Sequence, residues 1–364
     1  MHDDYTAEDF DHSPRMFYYE VTQACDLVCE HCRAAAQEDP HPGELTNEQS
    51  LALIDQVATF PKRPTLVLTG GDPLKRRDLD DLIRHAVRQG LQVALTPSAT
   101  PLATAAAFQR VQRAGVECLG ISLDGADAAT HDAFRGFPGS FAQTRQMLAE
   151  ARRLGMAVQV NTSITRRNFH QIDALAELLT DQGIAMWSVF FLVPVGRGVE
   201  QERIQPEEYE QAFARLWRHA RHQPYGVKTT EAPHYRRYVL QQQGDPLAGP
   251  GGGLDPGRRR GHRAPLGVWD GRGVMFVSHT GEIYPAGFLP LVCARLPQAS
   301  VVETYQTHPI FRALRDADQF RGKCGYCEYR WICGGSRARA FAVTGNAWES
   351  EPDCVYVPAT AATV

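Results

Sequence analysis

Three cysteines spaced Cys25-x3-Cys29-x2-Cys32 carry the strongest chemical signal in this chain. They lie between Glu20 and Arg33, directly after a short apolar run that reads as a first β-strand. Soft thiolates suit iron–sulfur chemistry, and three of them can hold three irons of a [4Fe-4S] cube. The fourth iron then has no protein ligand, and an open metal position is where a substrate or cofactor binds, as on catalytic zinc. A structural zinc site or stray buried thiols is the simpler alternative; the spacing and the strand-loop setting weigh against it.

A second set, Cys324-x2-Cys327-x5-Cys333-x20-Cys354, places four thiolates in a small segment that buries little core of its own. Such a segment needs a metal to hold it together. A Zn(Cys)4 ribbon and a fully ligated [4Fe-4S] cluster both satisfy four thiolates. Cys118 and Cys293 stand alone and read as ordinary small residues.

The elements that must position these groups repeat in a βα pattern. Apolar or β-branched runs at 17–21, 65–68, 92–95, 118–123, 157–164 and 188–193 predict strands. Helical periodicity covers 46–60, 76–89, 101–114, 140–154 and 168–182. Thr46 with Gln49 forms a capping box, and Gly90, Gly115, Gly155 and Gly183 each follow a helix where a left-handed cap is wanted. Six repeats with near-continuous apolar strands predict a helix-covered parallel sheet. The fold class is α/β: a partial (β/α)6 TIM-type barrel, with its site at the C-terminal strand ends, plus a small C-terminal cysteine-rich domain. The divisions expected are a tail over 1–15, the barrel over 16–222, a connecting segment over 223–267 and the cysteine-rich domain over 268–364. A helix over 206–222 closes the barrel. The stretch 243–267, with Gly251, Gly252 and Gly253 beside Arg258, Arg259 and Arg260, reads as a linker or lid. Segments 273–278 and 282–284 form a hairpin, and a helix covers 302–316.

A net charge of -4 gives no electrostatic footprint for nucleic acid or an anionic membrane. Residues 1–15 are polar, and no apolar run is long enough to span a bilayer. The expectation is a cytoplasmic protein in which nine cysteines serve metal or redox chemistry, not disulfides.

The cysteine loop followed by this βα pattern resembles the radical S-adenosylmethionine (SAM) superfamily. The resemblance implies that the open iron chelates the amino and carboxylate groups of SAM, and that an electron from the cluster generates a 5′-deoxyadenosyl radical. Gly70-Gly71-Asp72-Pro73 looks like the family's Gly-Gly-Glu-Pro motif, with Asp72 for Glu. Its glycines would admit the ligand closely and its carbonyls accept from the SAM ammonium. By the same similarity Ser122 and Asp124, and Asn161 and Ser163, contact the SAM ribose and carboxylate. Arg166 or Arg167 pairs with the methionyl carboxylate, and His31 packs against adenine. Thr96 and Ser98 are weaker candidates, and the 193–198 loop would lend backbone near adenine. The C-terminal cysteines resemble the SPASM/Twitch extension, which implies that the small C-terminal domain is an iron–sulfur (SPASM/Twitch-like) domain. Because Tyr284-Pro285-Ala286-Gly287 lacks the cysteines of the seven-cysteine form, one auxiliary [4Fe-4S] cluster is expected, held by Cys324, Cys327, Cys333 and Cys354.

The second half resembles the radical SAM enzymes of alternative-haem and denitrifier-haem biosynthesis, through 229–237, 281–289 and 324–339. This implies an iron tetrapyrrole substrate whose propionate side chains are decarboxylated or removed. Lys228, His234, Arg236 and Arg237 would supply charge for its carboxylates. A flavodoxin- or ferredoxin-type donor would supply electrons. Two alternatives remain open at this point. One is a peptide maturase installing thioether or carbon–carbon crosslinks, against which the short segment before strand one leaves no fused leader-binding domain. The other is an iron–sulfur electron carrier without SAM chemistry.

Overall fold

In the computed structural model, residues 5–200, 202–243 and 267–359 are described. A one-turn helix, α1 (Asp9–His12), precedes β1 (Met16–Glu20). There follow α2 (Asn47–Ala58), β2 (Thr65–Thr69), α3 (Leu79–Arg88), β3 (Gln92–Leu95), α4 (Ala105–Ala114) and β4 (Val116–Ser122). Two helices, α5 (Ala128–Arg135) and α6 (Ser140–Arg153), lead to β5 (Ala157–Ile164). The barrel continues through α7 (Ile172–Leu179), β6 (Met186–Phe191), α8 (Pro206–His222), β7 (Gly226–Thr230) and α9 (Tyr235–Gln242). The C-terminal part holds β8 (Val274–Val277), β9 (Glu282–Tyr284), β10 (Ala294–Arg295) and the short helices α10 (Val301–Thr307), α11 (Pro309–Arg315), α12 (Gly322–Tyr326), α13 (Arg330–Cys333) and α14 (Arg337–Thr344).

The ten strands among the described residues join one sheet in the order β10-β9-β8-β1-β2-β3-β4-β5-β6-β7. Strands β1 to β7 run parallel to their neighbours, with β8 parallel to β1 and β9 antiparallel to β8. The hairpin expected over 273–284 is therefore an extension of the barrel sheet. The local signals act as read: Thr46 and Gln49 cap α2 reciprocally, and Gly90, Gly115, Gly155 and Gly183 all adopt positive φ.

Three sequence expectations are corrected. A seventh parallel strand, Gly226–Thr230, follows the six predicted, in the span assigned to the connecting segment. Its only buried side chain is Val227, so it presents no apolar run. The single helix over 302–316 is broken at His308, because Pro309 can only start a new helix. Third, the strands are not buried on both faces. In β5, Val158, Val160, Thr162 and Ile164 are buried against helices, while Gln159, Asn161 and Ser163 alternate with them and stay half-open. Cys118 and Ser122 of β4 and Lys228 of β7 share this half-open exposure, whereas Ser188 of β6 is buried. The barrel thus encloses a lumen with a polar, partly accessible wall, set inside the large helix-facing core. The linker or lid expected over 243–267, with Arg258, Arg259 and Arg260, lies outside the described residues except at its two ends. No helix among the described residues is long and apolar enough to cross a membrane.

Candidate functional site

The cysteine loop leaves β1 and packs across the C-terminal ends of its neighbours. Its backbone is held by Gly70-Gly71-Asp72-Pro73: Gly71 N–H donates to Thr22 O at 2.9 Å and Asp72 N–H to Ala24 O at 2.6 Å. A Cβ on Gly71 would sit 2.4 Å from Ala24 O, and one on Gly70 2.4 Å from Thr22 O. The glycines are therefore required by contact with the cysteine loop itself, where sequence reasoning assigned them to the approach of a ligand. Asp72 is wholly buried. Its carboxylate accepts from Leu74 N–H at 3.1 Å, Ser98 N–H at 3.3 Å and Thr100 Oγ1 at 2.7 Å. With both oxygens engaged, it works as a turn anchor. Ser98 donates to Gly71 O at 2.8 Å and lies 3.7 Å from Cys25 Sγ.

Two further elements clamp the loop. Arg197, beyond β6, donates to Cys29 O and Ala36 O, both at 2.8 Å, and its own N–H bonds Cys32 O at 3.0 Å. Gly196 stands at φ +57 where a Cβ would meet Arg33 O at 2.3 Å, so the 193–198 loop approaches the cysteines themselves. Arg135, at the end of α5, forms an ion pair with buried Asp124 and lies 3.7 Å from Cys29 Sγ. Neither arginine was singled out from sequence. Arg135 carried no usable signal, since α5 itself was not foreseen.

The residues at the ends of β4 and β5 converge. Asp124 accepts from Ser163 N–H at 2.7 Å, and Ser122 stands in register with Asn161. Burial raises the Asp124 carboxyl, against the pull of Arg135. Asn168, also unforeseen, is buried and donates to Asp124 O and Ser163 O at 2.8 Å each. The two loop arginines separate: Arg167 reaches Glu30 of the cysteine loop at 2.8 Å, whereas Arg166 turns to Glu202 at 3.3 Å. His31 packs on Phe134 with ring centroids 4.3 Å apart, and its Nδ1 is buried without a partner among the described residues. Burial, then the charge of Arg135, holds the ring well below the usual histidine range.

These groups fit a [4Fe-4S] cube. Burial pushes the Cys25 thiol up to about 11, and raises Cys29 too, so the free thiols are poor nucleophiles without a metal. N–H groups already point at sulfur: Leu27 at Cys25 and Ala36 at Cys32, each at 3.4 Å. Such donors, with Arg135, suit an anionic cluster.

The second cysteine set is assembled over a longer reach. Cys324, Cys327, Cys333 and Cys354 line a single small pocket with His234, Lys323, Arg330 and Tyr356. Gly334 and Gly335 after Cys333 both have positive φ, and their missing side chains make room for Trp269 and Arg337. Arg339, fully buried, brings in the distant Cys354. Its guanidinium pairs with Glu351 at 2.8 Å and Asp353 at 3.0 Å and bonds the carbonyls of Phe191 and Leu192 at the end of β6. Glu351 N–H in turn donates to Cys324 Sγ at 3.2 Å. Among the described residues, no three carboxylate, imidazole or thiol groups converge tightly enough to chelate a single ion.

The four residues expected to meet substrate carboxylates divide. Arg237 pairs with Glu210 and Arg236 donates to Ile332 O at 3.1 Å and Val268 O at 2.6 Å. His234 is buried against Phe213 and Tyr209 and held well below its usual range by burial. None of these three faces the lumen as an available cation. Lys228 does stand on the lumen face of β7, and burial lowers its ammonium to about 8.

A radical SAM superfamily model matches residues 19–179, the span from β1 through α7. The AdoMet-dependent heme synthase of Methanosarcina barkeri is 38% identical over 348 residues, 95% of this chain and 97% of that protein. The chain belongs to the radical SAM superfamily. The AdoMet-dependent heme synthase of Oleidesulfovibrio alaskensis is also 38% identical, over 97% of this chain and 90% of its own length. Streptococcus suis SuiB, solved with S-adenosylmethionine bound, shares the fold at TM-score 0.71 and 14% identity, covering 95% of this chain and 78% of that one. Membership implies a [4Fe-4S] cluster and SAM, and the partial barrel expected from sequence is the fold of these relatives.

Proposed function

We propose that this chain is a radical SAM enzyme that oxidatively decarboxylates propionate side chains of an iron tetrapyrrole. The observation carrying this reading is that likeness to heme synthases, at 38% identity, covers 95–97% of this chain and so extends well beyond the barrel. Cys25, Cys29 and Cys32 would hold the SAM-binding cluster, and Cys324, Cys327, Cys333 and Cys354 an auxiliary [4Fe-4S] cluster of SPASM/Twitch type. When bound, SAM and the reduced cluster supply a 5′-deoxyadenosyl radical. Gly70, Gly71, Asp72 and Pro73 fix the cysteine loop, while Ser98, Ser122, Asp124, Asn161, Ser163 and Arg167 would contact SAM. Arg166, turned away, is left out of that set.

The substrate chemistry balances simply. Removal of one hydrogen atom from the propionate carbon next to the ring leaves a substrate radical. Cleavage of the bond to the carboxylate then releases carbon dioxide and one electron and leaves a vinyl group. The electron needs an acceptor, the role a second one-electron centre would serve. The chain's own contribution is placement. The lumen wall is polar, with Lys228 as a carboxylate partner, and two aromatic pairs, Phe190 with Phe288 and Phe276 with Tyr284, would offer flat apolar surface to a macrocycle.

The test is anaerobic incubation with SAM, a low-potential reductant and iron-coproporphyrin, read by mass spectrometry. Each decarboxylated propionate removes the mass of carbon dioxide plus two hydrogens. SAM cleavage without any such loss would overturn the tetrapyrrole reading. In a parallel incubation with a cysteine-containing precursor peptide, a crosslinked product without any tetrapyrrole conversion would replace it with the maturase.

A further inference from the structure

We propose that His234, Arg236 and Arg337 are positioning residues that raise the reduction potential of the cluster held by the four C-terminal cysteines. The inference rests on the assignment of that cluster made above.

Two buried side chains around this pocket, His234 and Arg337, carry polar atoms without a partner among the described residues, and a third, Arg236, has only neutral partners. His234 is 1% exposed and lines the pocket, yet neither ring nitrogen has a hydrogen-bond partner among the described residues. A neutral imidazole carries one N–H, and an orphaned buried donor is costly. Arg337 is fully buried, with Nε unpartnered among the described residues. Its other nitrogens reach Ala347 O at 3.1 Å, Glu349 O at 2.7 Å and Cys324 Sγ at 3.7 Å. Gly335 exists in that place to admit this guanidinium, since a Cβ there would lie 2.3 Å from its Nη2. Arg236 is bonded only to the carbonyls of Ile332 and Val268, beside Cys333.

A buried guanidinium satisfied by neutral carbonyls keeps a full uncompensated charge. By contrast Arg237, on the same helix, has Glu210, and Arg339 has Glu351 and Asp353. Arg337 has no ion pair of that kind among the described residues: the buried Asp270 carboxyl feels its charge, but that carboxylate accepts from Ala338 N–H at 2.8 Å. The missing counter-charge is what four thiolates around an iron–sulfur core provide. Cations and N–H donors near the sulfurs stabilise the more negative, reduced state, and so raise the potential. A raised potential suits a centre that accepts an electron released by the substrate.

The test uses the full chain carrying Cys25→Ala, Cys29→Ala and Cys32→Ala, so that the C-terminal cluster gives the only paramagnetic signal, titrated by electron paramagnetic resonance. Arg337→Met and His234→Leu should each shift the midpoint to more negative potential with iron retained. Arg337→Lys and His234→Gln, which keep charge or donor, should bring it back toward the parent value. Arg236→Met, beside Cys333, gives the same readout if Arg337→Met does not fold. Iron-loaded variants with an unchanged or more positive midpoint would overturn the inference. A parent chain containing zinc or no iron at this site would instead overturn the cluster assignment, and the inference with it.

Discussion

Replacing Gly71 with Ala puts one methyl group where the cysteine loop meets the end of β2. The added Cβ would lie 2.4 Å from Ala24 O and 2.6 Å from Gln23 O, and both are backbone atoms that no rotamer change can move. Reaching the 3.4 Å of ordinary contact forces the loop away from β2. That displacement breaks both the Asp72 N–H bond to Ala24 O and the Gly71 N–H bond to Thr22 O. Two lost hydrogen bonds at about 1 kcal/mol each, with overpacking strain of about 1–3 kcal/mol, give roughly 3–5 kcal/mol. The whole domain, at about 5–15 kcal/mol, survives that cost, but the loop that must hold three thiols in register does not keep its geometry. Anaerobically reconstituted Gly71→Ala should therefore fall from about eight irons per chain to about four, with 5′-deoxyadenosine formation lost and the C-terminal cluster retained. A Gly71→Ala protein with full iron and undiminished SAM cleavage would refute the claim that this glycine serves the loop.

Asp72→Ala should destabilise the chain by roughly 3–6 kcal/mol in urea unfolding, because it strands three buried donors at about 1–2 kcal/mol each, whereas Asp72→Asn should cost far less. Arg167→Ala should weaken SAM binding several-fold in equilibrium titrations, while Arg166→Ala should leave it within about twofold, as an exposed pair is worth about 0–1 kcal/mol. His131 is buried, accepts from Asp124 N–H at 3.0 Å through Nδ1, and is lowered by burial from 6.5 to about 3. Its contribution to stability is complete above pH 6.5 and is lost as pH falls from 6.5 toward about 3. The expected slope is about 1.4 kcal/mol per pH unit for this one group, and His131→Gln should flatten the denaturation midpoint over pH 7 to 5.5.

The lumen shows where sequence periodicity is least informative. Strands β1 to β6 were visible because their helix-facing side chains are large and apolar, and β7 was not because Val227 is its only buried side chain. Similarly, two arginines two elements apart in purpose, Arg236 and Arg237, look identical in sequence. Only packing shows that one is paired with Glu210 and the other is left with neutral carbonyls.

By itself, the order of residues determined the chemistry available: thiol spacing within one loop is local, so Cys25, Cys29 and Cys32 must lie close whatever the rest of the chain does. The βα rhythm and its glycine caps are local as well, and they imposed the barrel and its active end. Tertiary structure alone decided which distant groups serve that loop. Arg135, Asn168 and Arg197 come from separate turns, and Arg339 draws Cys354 to its three partners through Glu351 and Asp353. The reason is that a buried charge or N–H must find its partner in space, and the partner's position along the chain is left unspecified by any short-range pattern.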